Sequence, residues 1–178
     1  MMLYQIEFAV LYALQSLHNP WLDQVMVRIT SLGDHGFIWI LIGVVLFCIP
    51  KTRKIGIGVL LSLGVGLLLG NMILKNLVER PRPCWIDTSI PLLIQNPKDF
   101  SFPSGHTLAS FEGAISIWLY DKRLGIPFLL LAVLIAFSRM YLFVHFPTDV
   151  LGGAVLGICI ALLVHHLIER NACVEKNT

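Results

Sequence analysis

Six ionisable residues stand out by type and spacing in a chain that has few: Lys75, Arg82, His106, Arg139, His145 and Asp149. They fall in three short stretches. In "KNLVERPRP", Lys75 stands seven residues before Arg82, which puts both on one helix face if the helix persists that far. Pro81 and Pro83 end it there. In "PSGH", Ser104 is a good N-cap and Gly105 lets the backbone come close to a ligand. A helix N-terminus with free N–H groups is a natural phosphate site, and His106 faces it from the first turn. In "SRMYLFVHFPTD", Arg139 precedes His145 by six residues and Asp149 follows it by four. Pro147 suits the first position of a helix, so Asp149 lies in the first turn and can reach back to the imidazole. A carboxylate on one ring nitrogen fixes the tautomer and leaves the other nitrogen free to attack.

Each stretch also has an ordinary explanation: cations snorkelling at a membrane edge, a cap beside an interfacial histidine, a His–Asp cap pair. Together they make chemical sense. Three cations can surround the equatorial oxygens of a phosphoryl group, one histidine can attack phosphorus, and the other can protonate the leaving oxygen.

The elements that must position these groups are apolar. Of 178 residues, 56% are hydrophobic and 13% charged, and the mean hydropathy is +0.78. An ordinary soluble domain is about a quarter charged. The expected fold is therefore all-α, a polytopic membrane helical bundle forming one domain over residues 1–178. Runs at Gly36–Pro50, Ile55–Leu77, Thr107–Tyr120, Leu124–Phe143 and Val150–Ile168 approach the length of a span, and Leu3–Leu17 is a shorter sixth. Trp21–Leu32 repeats Leu22, Val25, Met26 and Ile29 at helical spacing, which predicts an amphipathic helix lying at the interface. The basic turns "PKTRK" and "YDKRLG", with Arg170 and Lys176 in the tail, belong in the cytoplasm by the positive-inside rule. About six spans follow, with both termini inside and the three stretches at the outer face. Spacings at Gly66/Gly70 and Gly153/Gly157 suit close helix packing. The net charge of +2 is too small and too scattered for nucleic acid. The four cysteines form no CxxC pair, so no zinc or redox motif is indicated.

Lys75-x6-Arg82-Pro83, Pro103-Ser104-Gly105-His106 and Ser138-Arg139-x5-His145-x3-Asp149 resemble the tripartite signature of the type 2 phosphatidic acid phosphatases. This superfamily of lipid phosphate phosphatases shares its site with the vanadium haloperoxidases. The resemblance covers the whole chain and implies a metal-independent, cofactor-free hydrolase. It implies His145 as a nucleophile forming a phosphohistidine, Asp149 as the residue orienting it, and His106 as the general acid. Lys75, Arg82, Arg139, Ser104 and Gly105 are implied as phosphate ligands.

The implied partners are the bilayer and a lipid phosphate or diphosphate: undecaprenyl diphosphate, phosphatidylglycerol phosphate or phosphatidate, with a lean toward the polyprenyl diphosphate. The plasma membrane, with the site on its outer face, is the expected location. A phosphotransferase passing the phosphoryl group to another lipid is the alternative. A channel is disfavoured by the full signature, and a haloperoxidase by the apolar composition. Glu112 lies six residues past His106 and off its face, which suggests a structural hydrogen bond with a partner such as Ser116. Asp34 is expected to cap a helix, Arg80 to sit at the interface, and His165 and His166 near the cytoplasmic end.

Overall fold

The computed structural model describes residues 2–175, and every regular element among them is helical. The helices are α1 (Met2–Gln15), α2 (Pro20–Leu32), α3 (Phe37–Cys48), α4 (Arg53–Gly66), α5 (Lys75–Val78), α6 (Pro83–Ile86), α7 (Gly105–Tyr120), α8 (Lys122–Tyr141) and α9 (Pro147–Glu175). Between α4 and α5 the chain runs on as a π-helical segment, Leu67–Leu74.

The bundle is built around α7. It packs on α4, α8 and α9 and is largely enclosed by them. Its polar residues Ser110, Glu112 and Ser116 are accordingly buried, as are Leu108, Ala114 and Ile117. Trp39 of α3 packs into the space left by Gly113 and donates its indole N–H to Ser110 Oγ at 3.0 Å. The outer surface is apolar, with Leu41, Leu67, Leu130, Leu151 and Val155 all exposed, as lipid-facing residues are. Small residues do bring helices together. A Cβ on Gly153 would lie 2.7 Å from Ser104 O, and one on Gly157 would lie 2.7 Å from Leu108 O, so α9 lies directly on α7.

The expected six spans are not reproduced by helix length. Three helical stretches are long and apolar enough to cross a membrane: Arg53–Ile86, α8, and Pro147–Asn171 of α9. A fourth is available if α2 and Asp34–Cys48, bent by 43°, form one broken span. Helices α1 and α7, at 14 and 16 residues, are shorter than the roughly 20 a spanning helix needs. For α7 the shortfall has a physical reason: surrounded by protein, it need not match the hydrocarbon thickness. Nor does α2 simply lie on a surface. Asn19 caps it, accepting from Leu22 N at 3.0 Å, and it buries Met26 and Thr30. The long apolar helices make this an integral membrane protein.

The basic turns gather at one end. Lys54 bonds Glu169 of α9 at 2.7 Å and lies 6.0 Å from the Tyr120 ring at the end of α7. The three stretches meet at the opposite end. Lys176 lies outside the described residues.

Candidate active site

Lys75 opens α5 where the π-helical segment returns to α-helix. Segments of this kind recur at functional sites. The helix does not persist to Arg82, so the condition for a shared face is not met, and it ends even before the prolines. Glu79 turns left-handed at φ 48° and ends α5 after four residues, and Arg82 is extended before Pro83 starts α6. The two cations converge instead on Asp99, which sequence reasoning passed over. Lys75 Nζ donates to Asp99 Oδ2, and Arg82 Nη2 to Oδ1 at 2.8 Å. Arg82 Nε also donates to the Asp99 carbonyl at 2.7 Å. Burial works to raise the Asp99 carboxyl, but Lys75 and Arg82 overcome it and hold it at about 2.

His145 is 1% exposed in the tight loop between α8 and α9. That loop is braced by Val144 N donating to Arg139 O at 3.2 Å and passes through Phe143 at φ 60°, a left-handed conformation that bulky residues seldom adopt. The expected direct contact with Asp149 is absent. Asp149 Oδ2 is 3.7 Å from His145 Nδ1, too far for a hydrogen bond. Ser101 fills the gap: its hydroxyl donates to Asp149 Oδ2 at 2.5 Å and lies 3.3 Å from His145 Nδ1. A hydroxyl has one proton to give. With that proton on the carboxylate, Ser101 accepts from Nδ1–H, so Nε2 is unprotonated and its lone pair accepts from Arg82 Nη1. Nε2 faces Arg82 Nη1 at 3.0 Å. Burial first, then the charges of Arg82, Arg139 and Lys75, push the imidazole well below its ordinary 6.5 and keep it neutral.

Arg139 is 4% exposed, donates from Nη1 to Thr30 Oγ1 at 2.5 Å, and leaves its buried Nε without a partner among the described residues. His106 Nε2 lies 2.9 Å from Asp34 Oδ1, so Asp34 is a partner of the second imidazole and not a helix cap. Gly105 begins α7, and a Cβ there would come 2.9 Å from Asn71 Oδ1. Ser104 departs from expectation. It is fully buried, its side chain makes no cap bond, and its Oγ accepts from Thr107. It does not line the cavity of about 1090 Å³ into which Lys75, Arg82, Gly105, His106, Arg139 and His145 all project.

Two further expectations are corrected. Glu112 makes no bond to Ser116, which pairs with Ser62 at 3.1 Å. Instead its buried Oε1 has no partner among the described residues, and its carboxyl fills the space left by Gly66 at the edge of the cavity. Arg80 does more than sit at the interface. It donates to Asp149 Oδ1 at 2.6 Å and to Glu7 Oε2 at 2.5 Å. Sequence signals for some of these residues existed. Glu7 is an acid within an apolar run, and Ser101 lies three residues before Ser104 in the same stretch.

Comparison with known proteins identifies the family. Residues 56–173 match the PAP2 superfamily. Phosphatidylglycerophosphatase B of Bacillus subtilis is 38% identical over 170 residues, covering 86% of this chain and 79% of the relative. An undecaprenyl-diphosphatase of Sulfolobus acidocaldarius is 35% identical over 143 residues, covering 80% and 68%. The crystal structure of the transmembrane PAP2-type phosphatidylglycerolphosphate phosphatase of Bacillus subtilis superposes with a TM-score of 0.79 at 33% identity, covering 94% of this chain and 86% of that one. With the family match spanning most of the helices, and Lys75, Arg82, Gly105, His106, Arg139 and His145 lining one cavity with Asp149 buried behind it, the chain belongs to the PAP2 superfamily.

Proposed function

We propose that this protein is a membrane lipid phosphatase, hydrolysing a lipid phosphomonoester or diphosphate through a phosphohistidine at His145. The observation that carries the reading is the orientation of His145: its Nδ1 side is tied through Ser101 to Asp149, and its Nε2 opens toward Arg82 in a pocket that also holds Lys75 and Arg139. The family and the names of the relatives support a phosphate-ester hydrolase.

The substrate phosphate enters the clamp and displaces the Asp99 carboxylate, which holds the place of an anion between Lys75 and Arg82. The Gly105 N–H at the start of α7 and the unpartnered Arg139 Nε are further donors to it. Nε2 attacks phosphorus, and the bond from phosphorus to the leaving oxygen breaks. The positive charge that develops on the imidazole is shared through Nδ1–H and Ser101 with Asp149. His106, held by Asp34, gives its proton to the leaving oxygen. Water then attacks the phosphohistidine, His106 takes a water proton, the N–P bond breaks, and inorganic phosphate leaves.

The apolar surface around the cavity suits a lipid whose tail stays in the bilayer. The active site faces outward in this reading, because the basic turns gather at the other end. Phosphate release from undecaprenyl diphosphate, phosphatidylglycerol phosphate and phosphatidate, measured with and without vanadate, tests it. Vanadate-sensitive release from at least one lipid is expected. Release from none, or release indifferent to vanadate, would overturn it.

A further inference from the structure

Arg80 lies outside the three stretches yet holds one of their members. Its guanidinium sits between two buried carboxylates, Glu7 of α1 and Asp149 of α9, which are 2% and 0% exposed. Nη1 donates to Asp149 Oδ1 at 2.6 Å and to Thr148 Oγ1 at 2.7 Å, and Nη2 donates to Glu7 Oε2 at 2.5 Å. The plane lies over Phe146 at 4.2 Å and near Tyr4 at 5.1 Å, so the cation is boxed on its faces as well as its edges. Glu7 is bonded on its other oxygen: Oε1 accepts from Thr148 Oγ1 at 2.5 Å and from Thr148 N at 3.3 Å, in the first turn of α9.

The division of the Asp149 oxygens is informative. Oδ1 goes to Arg80. Oδ2 accepts from Ser101 and from Phe146 N at 2.8 Å, and Ser101 in turn meets His145. The carboxylate cannot rotate without breaking bonds on both sides. We infer that Arg80, anchored by Glu7, is a positioning residue that fixes Asp149 and so holds the Nδ1-protonated tautomer of His145 that frees Nε2 for attack. This inference rests on His145 being the nucleophile.

The charges explain why two partners are needed. Asp149 must keep a negative charge to share the positive charge that His145 gains on attack. Arg80 alone would cancel it, whereas Glu7, Arg80 and Asp149 together carry one net negative charge. Without Arg80, two carboxylates would share one buried space, and like charges so placed cannot both stay ionised. The prediction is therefore specific in sign. Arg80→Met should lower kcat roughly 10- to 100-fold, the scale of losing a partner that orients a reacting group, with KM for the lipid phosphate little changed. Glu7→Gln should lower kcat by less. The double variant Glu7→Gln/Arg80→Met, which restores one net negative charge, should turn over faster than Arg80→Met alone. A residue that merely braced α1 would give a double variant no faster than the single.

The test is steady-state kinetics of these variants, with His145→Ala alongside. Wild-type kcat in Arg80→Met, a loss confined to KM, or a double variant as slow as the single would overturn the inference while leaving the nucleophile assignment standing. Turnover surviving in His145→Ala would overturn that assignment and this inference with it. Should Arg80→Met fail to fold, Arg80→Lys and Glu7→Gln decide: reduced kcat at constant KM supports the role, and wild-type kcat in both removes it.

Discussion

In the proposed function, Asp99 is the residue whose charge most directly opposes substrate binding. Its carboxylate bridges Lys75 and Arg82 with a side chain still 55% exposed, so it can swing out when a phosphate arrives. While it stays, it screens two of the three cations from an incoming anion. Asp99→Asn keeps the shape and removes the charge. It is expected to lower KM and tighten vanadate inhibition by about two- to fivefold, the scale of one partly exposed ion pair. Inhibition by vanadate measured across concentrations checks this; weaker inhibition would show that Asp99 organises Arg82 instead of competing for it. Lys75, Arg82, His106, Arg139, His145 and Asp149 were legible in the sequence because the spacing within each stretch is short and each residue type is costly in an apolar chain. Ser101 and Glu7 were given no role there, and Asp34 and Arg80 were given different ones. Arg80 acts on Asp149 and Glu7, 69 and 73 residues away, and Asp34 acts on His106 across 72. Spacing along the chain carries no signal for such pairs.

At the scale of elements, the site is a contact between α7 and the start of α9. One brings Gly105 and His106, the other Asp149, and Gly153 and Gly157 let them touch. Gly157→Leu has no room beside the Leu108 carbonyl and should force the helices apart, costing about 1–3 kcal/mol by overpacking and lowering activity with it. Gly64, where an added Cβ meets nothing within 4 Å, is the control: Gly64→Leu should leave both properties near wild type. Thermal unfolding in detergent, read beside phosphate release, separates the two; equal effects would mean that the α7–α9 contact does not limit the site. Small-residue spacing announced this packing in the sequence. The left-handed turns at Glu79 and Phe143 were not legible, since neither is glycine and only the folded surroundings hold them there.

At the scale of the whole molecule, the apolar composition correctly indicated an all-helical membrane protein, while helix length alone supports three spans, or four with the bent pair, of the six that the apolar runs suggest. A run of 14 to 16 apolar residues reads alike whether it faces lipid or, as in α7, protein. The distribution of charge between the two ends is the more useful guide, and it predicts orientation. With the four native cysteines replaced, Lys98→Cys near the cavity should react with a membrane-impermeant maleimide on intact cells, whereas Arg123→Cys at the opposite end should react only after lysis. Labelling in the reverse order would place the site inside.

The central claim is that the phosphoryl group passes through His145. Rapid quenching of the enzyme with a lipid bearing labelled phosphate, followed by peptide mapping, tests it most directly. An acid-labile phosphoryl group on His145, absent from His145→Ala along with turnover, is the predicted result. Label on another residue, or full turnover in His145→Ala, would contradict it.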